Sequence, residues 1–379
     1  MAEEVILVED LAAGHGLIIG VATLNLPASL NALTLEMIDL LAAQLQRWER
    51  DPQVVCVVLQ GAGGKAFCAG GDVRFLYAAA RRSQAEGEAY SKVCAEFFTR
   101  EYALDYHIHK YTKPVLCLGH GIVMGGGLGL MVGASHRVVT DKTKLAMPEI
   151  SIGLLPDVGA TYFLPRLVSK VGLYLALTGT RINGADGVFA GLADFLLSAE
   201  QLPSLLKELS DLDWVAADRG ANDAVLSRYL RQKAQTAATL AKVASPLEEH
   251  LAFIESVCSG PDLASFAALM QKVPPGDDWI DAGKKTFLNG SPSIAALIFA
   301  QQDKGRDIDL ASAFRYELQV VTRCTAHADF VEGVRAVLVD KDQKPQWNPA
   351  SLQDVGRAST QSYVAPVWSD AEHPLRGLR

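Results

Sequence analysis

The sequence predicts an α/β chain: a core in which strands and helices alternate, followed by a mostly helical C-terminal region. Three observations predict it. Short apolar runs at 16–24, 54–59 and 114–118 are separated by helical stretches, an order that calls for repeated β-α-β crossovers. The middle run, Val54–Leu59 (VVCVVL), is apolar at every position, as expected of a strand covered on both faces. After about Glu200 the β-branched runs cease, and Ala, Leu, Gln and Lys dominate up to about residue 345.

The elements follow in order. Gly16–Leu24 (GLIIGVATL) reads as a strand and Asn25–Asn31 as a proline-containing loop. Thr34 is placed to cap a helix that carries Met37, Leu41, Leu45 and Trp48 on one face. The Val54–Leu59 strand runs into a glycine-rich loop, Gly61–Gly71, and then a long polar helical stretch from about Val73 to Ala103. Pro114–Leu118 starts another strand, followed by a second glycine-rich segment, Gly119–Gly129. Pro274–Gly276 and Gly290–Pro292 break the later helical region into pieces. The expected division is a core with the active site over 1–200, a helical domain over 201–348, and a polar, loosely held tail over 349–379.

Composition narrows the function classes. The chain has 379 residues, 35 basic and 43 acidic, for a formal net charge of −8. That balance disfavours nonspecific nucleic-acid binding. No apolar segment is long enough to span a membrane. The start, MAEEVILVED, is acidic and has no basic region before an apolar stretch, so a cytoplasmic location is expected. The six cysteines are scattered with no C-x-x-C pair, which fits reduced thiols in a core.

Three segments could carry chemistry. Gly61–Asp72 (GAGGKAFCAGGD) follows a buried strand and ends in small residues that leave backbone N–H groups accessible; taken alone it is equally an ordinary glycine turn. Gly119–Gly129 (GHGIVMGGGLG) places three consecutive glycines at a strand-to-helix passage, where free amides favour negative charge. A dinucleotide fingerprint fails there, because the third glycine position is Met124 or Val132. Two such loops together suggest a pair of amides that stabilise an oxyanion. The third segment, Met147–Gly159 (MPEISIGLLPDVG), sets Glu149 and Asp157 in an apolar stretch. Buried carboxylates are costly unless paired or used, although a capping Asp and a surface Glu would give the same letters. No G-x-S-x-G elbow is present, and His107 and His109 lack an H-E-x-x-H or Cys/His cluster, so neither a serine nucleophile nor a metal site is expected. His120 is read as orienting its loop.

These segments, with LNLPASLNALT (24–34), KAFCAGGD (65–72), Leu175–Gly179 and Gly191–Asp194, resemble the crotonase (enoyl-CoA hydratase/isomerase) superfamily. The resemblance implies a core of stacked β-β-α spiral turns. It assigns the oxyanion amides to Gly71 and Gly126, and substrate binding to Lys65 and Ala69. It also implies an acyl-CoA substrate, with CoA entering as part of that substrate and no separate cofactor, and it leaves a homo-oligomer open.

Departures from the pattern point to a branch. Hydratases of this superfamily carry two catalytic glutamates; here the first position is Gly129, the second is Glu149, and a position usually glycine is Asp157. That combination is similar to the 3-hydroxyisobutyryl-CoA hydrolases. So is the stretch DFVEGVRAVLVDKDQKP (329–345) followed by Trp347 and Pro349. Glu101 falls where those hydrolases place a substrate-pocket carboxylate. The implied activity is hydrolysis of a short 3-hydroxyacyl-CoA thioester, 3-hydroxyisobutyryl-CoA of valine breakdown above others, with Glu149 and Asp157 catalytic. The rivals are an enoyl-CoA hydratase or isomerase and a non-catalytic CoA-binding subunit.

Overall fold

The computed structural model describes residues 4–236 and 243–379. Its contacts divide the chain into two compact units that alternate along the sequence. The first comprises Met1–Gly71, Leu104–Leu145 and Ile182–Glu248; the second comprises Asp72–Ala103, Ala146–Arg181 and Glu249–Arg379. Composition suggested a boundary near residue 200, whereas the contacts draw the units from three separate stretches each.

Among the described residues ten strands form two sheets, all in the first unit except the last residue of one short strand. The larger sheet has the order β1 (Ile6–Ala13), β2 (Leu17–Leu24), β3 (Val54–Gly61), β5 (Val115–Gly119), β7 (His136–Thr140), β10 (Phe195–Leu197). The smaller has the order β4 (Ala66–Cys68), β6 (Ile122–Met124), β8 (Lys144–Ala146), β9 (Ile182–Asn183). Successive strands alternate between sheets: β3 then β4, β5 then β6, β7 then β8. With β3, β5 and β7 parallel, and β4 and β6 parallel, this is the expected β-β-α spiral. Every residue of Val54–Leu59 is buried, in keeping with its unbroken apolar run. Leu205, Leu209, Trp214, Leu226 and Leu230 join the sheet residues Ile19, Val58 and Leu118 in one core cluster.

The helix Leu35–Arg50 starts where expected, with the Thr34 hydroxyl accepting the Met37 N–H at 3.2 Å. Its buried face is Met37, Leu41, Leu45 and Trp48. Gly20 makes room for the indole: a Cβ there would lie 2.5 Å from the Trp48 ring. The Trp48 Nε1–H donates to Asp10 Oδ1 at 2.6 Å. Asp10 belongs to β1, a strand the sequence reading did not include. It is an edge strand, antiparallel to β2, and most of its residues are exposed. Edge strands carry charge without penalty, so the alternation that marks a half-buried strand is missing.

The second unit is dominated by helices. The polar stretch after Asp72 is two helices, Val73–Ala85 and Lys92–Lys110, rather than one. Gly87 ends the first in the left-handed region at φ +71, and the last turns of the second helix belong to the other unit. Both expected breaks serve as helix starts. Asp277, just after Gly276, caps Asp278–Asn289, and Ser291 caps Pro292–Lys304 with proline at the first helical position.

The tail is not loosely held. It forms the helix Arg357–Val364 and docks on Leu310–Ala326. Tyr363 is buried and stacks on His327 with ring centroids 3.8 Å apart. Arg323 donates to the carbonyls of Ala365 and Pro366, and His373 bonds the Arg315 carbonyl at 3.0 Å. Few apolar anchors and many hydrogen bonds to backbone explain why its composition looked like that of a free tail. No described helix is long and apolar enough to cross a membrane.

Candidate active site

The candidate residues fall into two groups, one in each unit. In the first unit the glycine segments are built around close backbone approaches. Asn31, fully buried, donates from Nδ2 to the carbonyls of Ala62 (3.0 Å) and Ala66 (2.9 Å), and so fixes the loop that leads into β4. Ala69 N–H reaches Leu30 O at 3.0 Å, and Leu33 N–H reaches Gly70 O at 2.8 Å. His120 bonds Gly63 O through Nε2 at 2.9 Å while its own carbonyl accepts from Phe67 N–H at 2.8 Å, the orienting role read from the sequence.

Glycine is required at the places where the two segments meet. Gly70 has φ +102, and a Cβ on it would lie 3.2 Å from Met124 O and 3.6 Å from Gly126 N. A Cβ on Gly127 would lie 2.3 Å from Cys68 O. Only bare backbone lets the start of the helix Gly126–Gly133 come this close to β4 and the loop behind it. The peptide after Gly70 and the peptide before Gly126 are therefore neighbours, which brings the two assigned amides, Gly71 and Gly126, together. The Gly126 N–H opens a helix and has no acceptor within it. Ala69 is half-buried beside this junction; Lys65 is exposed, with its carbonyl accepting the Ile122 N–H at 3.0 Å.

In the second unit the carboxyls converge. Glu149 opens a short 3-10 turn, Glu149–Ile152, held by Leu154 N–H to Glu149 O at 3.1 Å. Asp157 lies in the irregular segment before the helix Ala160–Phe163, and Glu101 is on the helix Lys92–Lys110. All three side chains are buried: Glu101 is 2% exposed, Glu149 5% and Asp157 4%. Burial holds the Glu149 carboxyl well above the usual carboxylate range, and the Asp157 charge adds to it. Glu101 is raised by burial first and then by the Asp157 and Glu149 charges. Carboxyls that raise one another do not all ionise together, so the cluster keeps a proton near neutrality.

The three are not equivalent. Asp157 is also raised by burial, but the buried Tyr102 hydroxyl donates to its Oδ2 and opposes that rise. Glu149 Oε2 has no hydrogen-bond partner among the described residues. Asp157 is thus the better-held anion, and Glu149 the readier carrier of the proton. The capping-Asp, surface-Glu alternative does not describe either residue.

Two contributors were not read from the sequence. Tyr102 stands next to Glu101 and packs its ring on Phe98 and Phe314, at centroid distances of 5.8 and 5.7 Å. Glu317 is fully buried and accepts from the N–H groups of Gly159 (2.7 Å) and Thr161 (2.6 Å). A signal for Glu317 existed: it is a lone carboxylate on a helix face otherwise made of Phe314, Leu318 and Val321.

The family model described as enoyl-CoA hydratase/isomerase matches residues 19–364. The mitochondrial 3-hydroxyisobutyryl-CoA hydrolase of Xenopus tropicalis is 41% identical over 349 residues, covering 92% of this chain and 86% of that protein. The corresponding Homo sapiens protein is 41% identical over 337 residues, covering 89% and 83%. The crystal structure of a carnitinyl-CoA dehydratase from Mycobacterium thermoresistibile matches with a TM-score of 0.80 at 34% identity, over 96% of this chain and 97% of that one. With its spiral of strands, its paired glycine segments and this degree of identity over most of its length, the chain belongs to the enoyl-CoA hydratase/isomerase family, in the branch that contains the 3-hydroxyisobutyryl-CoA hydrolases.

Proposed function

We propose that the protein hydrolyses a short 3-hydroxyacyl-CoA thioester, 3-hydroxyisobutyryl-CoA above others, to the free acid and CoA. The observation that carries this reading is the buried carboxyl cluster, in which Glu149 has one oxygen without a partner and Asp157 is the better-held anion.

The amides of Gly71 and Gly126 receive the thioester oxygen, an assignment that follows from the family resemblance, and stabilise the charge that develops there. Glu149 gives its proton to Asp157 and its carboxylate oxygen attacks the carbonyl carbon. The carbon–sulfur bond breaks, and the CoA thiolate leaves with the proton held by Asp157. Water then attacks the mixed anhydride, Asp157 takes a proton from it, and the acid departs as Glu149 is regenerated. Glu101 and the exposed Lys65, with Ala69, bind substrate in this reading, and no cofactor besides the CoA of the substrate takes part. The variant route uses Glu149 as a general base for direct attack by water.

A second reading has one favourable observation: the carnitinyl-CoA dehydratase is 34% identical across nearly the whole chain. Gly129 argues against it, because addition or removal of water across a double bond loses one of its two carboxyls there. Release of free thiol from 3-hydroxyisobutyryl-CoA, measured beside loss of enoyl absorbance from crotonyl-CoA, separates the two. Thiol release absent in Glu149→Gln is expected; enoyl turnover without thiol release overturns the proposal. A single turnover in ¹⁸O-water then separates the routes, since only the anhydride places label in Glu149. The relatives are named mitochondrial, so the cytoplasmic location expected from the first ten residues gains nothing from them and forms no part of this reading.

A further inference from the structure

We propose that Glu317 is a positioning residue for Asp157, a buried carboxylate that fixes the backbone on which the Asp157 side chain is presented. The proposal rests on the hydrolase reading, in which Asp157 carries the proton to the leaving thiolate.

Two features make the Asp157 segment hard to hold. Val158 has φ +54 and Gly159 φ +92, so two consecutive residues lie in the left-handed region, and for valine that conformation is strained. At the start of Ala160–Phe163 the Ala160 N–H reaches Asp157 O at 2.9 Å, while the Gly159 and Thr161 amides need an acceptor from outside the segment. Glu317 meets both needs from a neighbouring helix. One oxygen takes the Gly159 N–H and the other the Thr161 N–H, at 2.7 and 2.6 Å. Both oxygens accept, and these bonds oppose the rise that burial imposes on the Glu317 carboxyl. Gln301 closes the segment from a third side, donating to Pro156 O at 2.6 Å and Thr161 Oγ1 at 2.7 Å. Phe314, one turn before Glu317, lies where a Cβ on Gly159 would come within 3.2 Å and also packs on Tyr102. The hydroxyl that holds Asp157 and the backbone that carries it are thus gripped by one helix, Leu310–Ala326.

Burial, with the Asp157 charge adding to it, pushes the Glu317 carboxyl up to about 8, and that ionisation gives a readout that a filler residue lacks. Facing Asp157 are Glu101 and Tyr102 of Lys92–Lys110, Glu149 of the 3-10 turn, and Glu317 and Cys324 of Leu310–Ala326. Glu317 itself faces Asp157, Tyr102 and its neighbour Tyr316. The wild-type pH–rate profile therefore carries a further step near pH 8, where Glu317 ionises beside Asp157, and a neutral residue at 317 removes that step. A loss of folded protein alone lowers the amplitude and leaves the step in place.

The test is thiol release from 3-hydroxyisobutyryl-CoA by the full chain as wild type, Glu317→Gln and Glu317→Asp. For Glu317→Gln the expected result is a fall in kcat of about 10²-fold, KM nearly unchanged, and loss of the step near pH 8. Glu317→Asp keeps a titrating carboxyl and both acceptors, so its profile keeps a second step while kcat falls less. A Glu317→Gln enzyme with wild-type kcat and pH profile overturns the proposal. If that variant does not fold, Glu317→Asp decides: kcat within twofold of wild type overturns it, and a larger fall at constant KM supports it. Absence of thiol release by the wild type is a separate result, and it removes the hydrolase reading instead.

Discussion

Replacing Tyr102 by Phe removes one hydroxyl and leaves the ring packing on Phe98 and Phe314 in place. The lost hydroxyl donates to Asp157 Oδ2 where both side chains are buried. A hydrogen bond to a charged, buried acceptor contributes about 1.5–3 kcal/mol. That energy belongs to the ionised form of Asp157, so its loss strengthens proton binding; at about 1.4 kcal/mol per pH unit it corresponds to about 1–2 pH units. The limb governed by Asp157 in a profile of kcat/KM against pH, followed by thiol release, is expected to move to higher pH by that amount. Stability changes with the same sign. Burial already raises Asp157 above its ordinary value of 3.8, so the stability it contributes is full below that value and is lost as pH rises through the folded-state value. Without the Tyr102 hydroxyl the loss is larger, and the melting-temperature gap between variant and wild type widens as pH increases. A limb that stays in place or moves to lower pH in Tyr102→Phe refutes the reasoning, because Asp157 is then not held as an anion by this hydroxyl.

Other expectations are shorter. Glu149→Gln abolishes thioester turnover but raises the melting temperature at pH 8 by a few degrees: its charge is disfavoured by burial and by Asp157, and the neutral amide avoids that cost. The gain is largest at alkaline pH and fades on acidification, where wild-type Glu149 is itself neutral; a variant less stable than wild type at pH 8 contradicts it. Gly153→Ala places a Cβ 2.5 Å from the Asp329 carbonyl oxygen at a φ of +68. Strain of that kind costs about 1–3 kcal/mol, read as a lower denaturation midpoint in urea, and a loss below about 0.5 kcal/mol counts against the packing described.

Much of the core was legible because its signals are local. Val54–Leu59 announces a buried strand, Thr34 announces a helix start, and Met37, Leu41, Leu45 and Trp48 announce its buried face. The glycine segments were legible for a related reason, since Gly70 and Gly127 stand where backbone meets backbone. What failed was what depends on partners distant in sequence. Strand β1 is visible only through its pairing with β2, and the tail only through Arg323, Gln319 and Arg315, which receive it. Division by composition at residue 200 failed to anticipate the units, because helical texture does not say which helix packs on which sheet: Leu205, Leu226 and Leu230 lie in the sheet core. Tyr102 stayed hidden since its letter is ordinary in a helix, and the lone carboxylate of Glu317 on an apolar face signals burial without naming the Asp157 segment as its partner.

The stretch 329–345, which resembles the hydrolases in sequence, contains none of the residues assigned to chemistry. Its contacts give it another purpose. Asp329 accepts from Ser291 Oγ at 2.7 Å and from Asn348 N–H at 2.9 Å, and Ser291 N–H in turn donates to Ile150 O at 3.1 Å. Gly153 lies against the Asp329 carbonyl, and Gly333 lies so close to Ile152 that a Cβ would come within 2.6 Å. Trp347 Nε1–H closes the set on Asn289 O at 2.8 Å. Each of these contacts bears on the turn Glu149–Ile152 or on a residue that touches it. A carboxyl that must be buried and still free at one oxygen cannot be oriented by hydrogen bonds to that oxygen, so its backbone has to be held instead. Glu149 has the 329–348 stretch for this, and Asp157 has Glu317 and Gln301. The two acids are therefore aimed by separate parts of the chain, and substitutions in one brace should leave the geometry of the other acid intact.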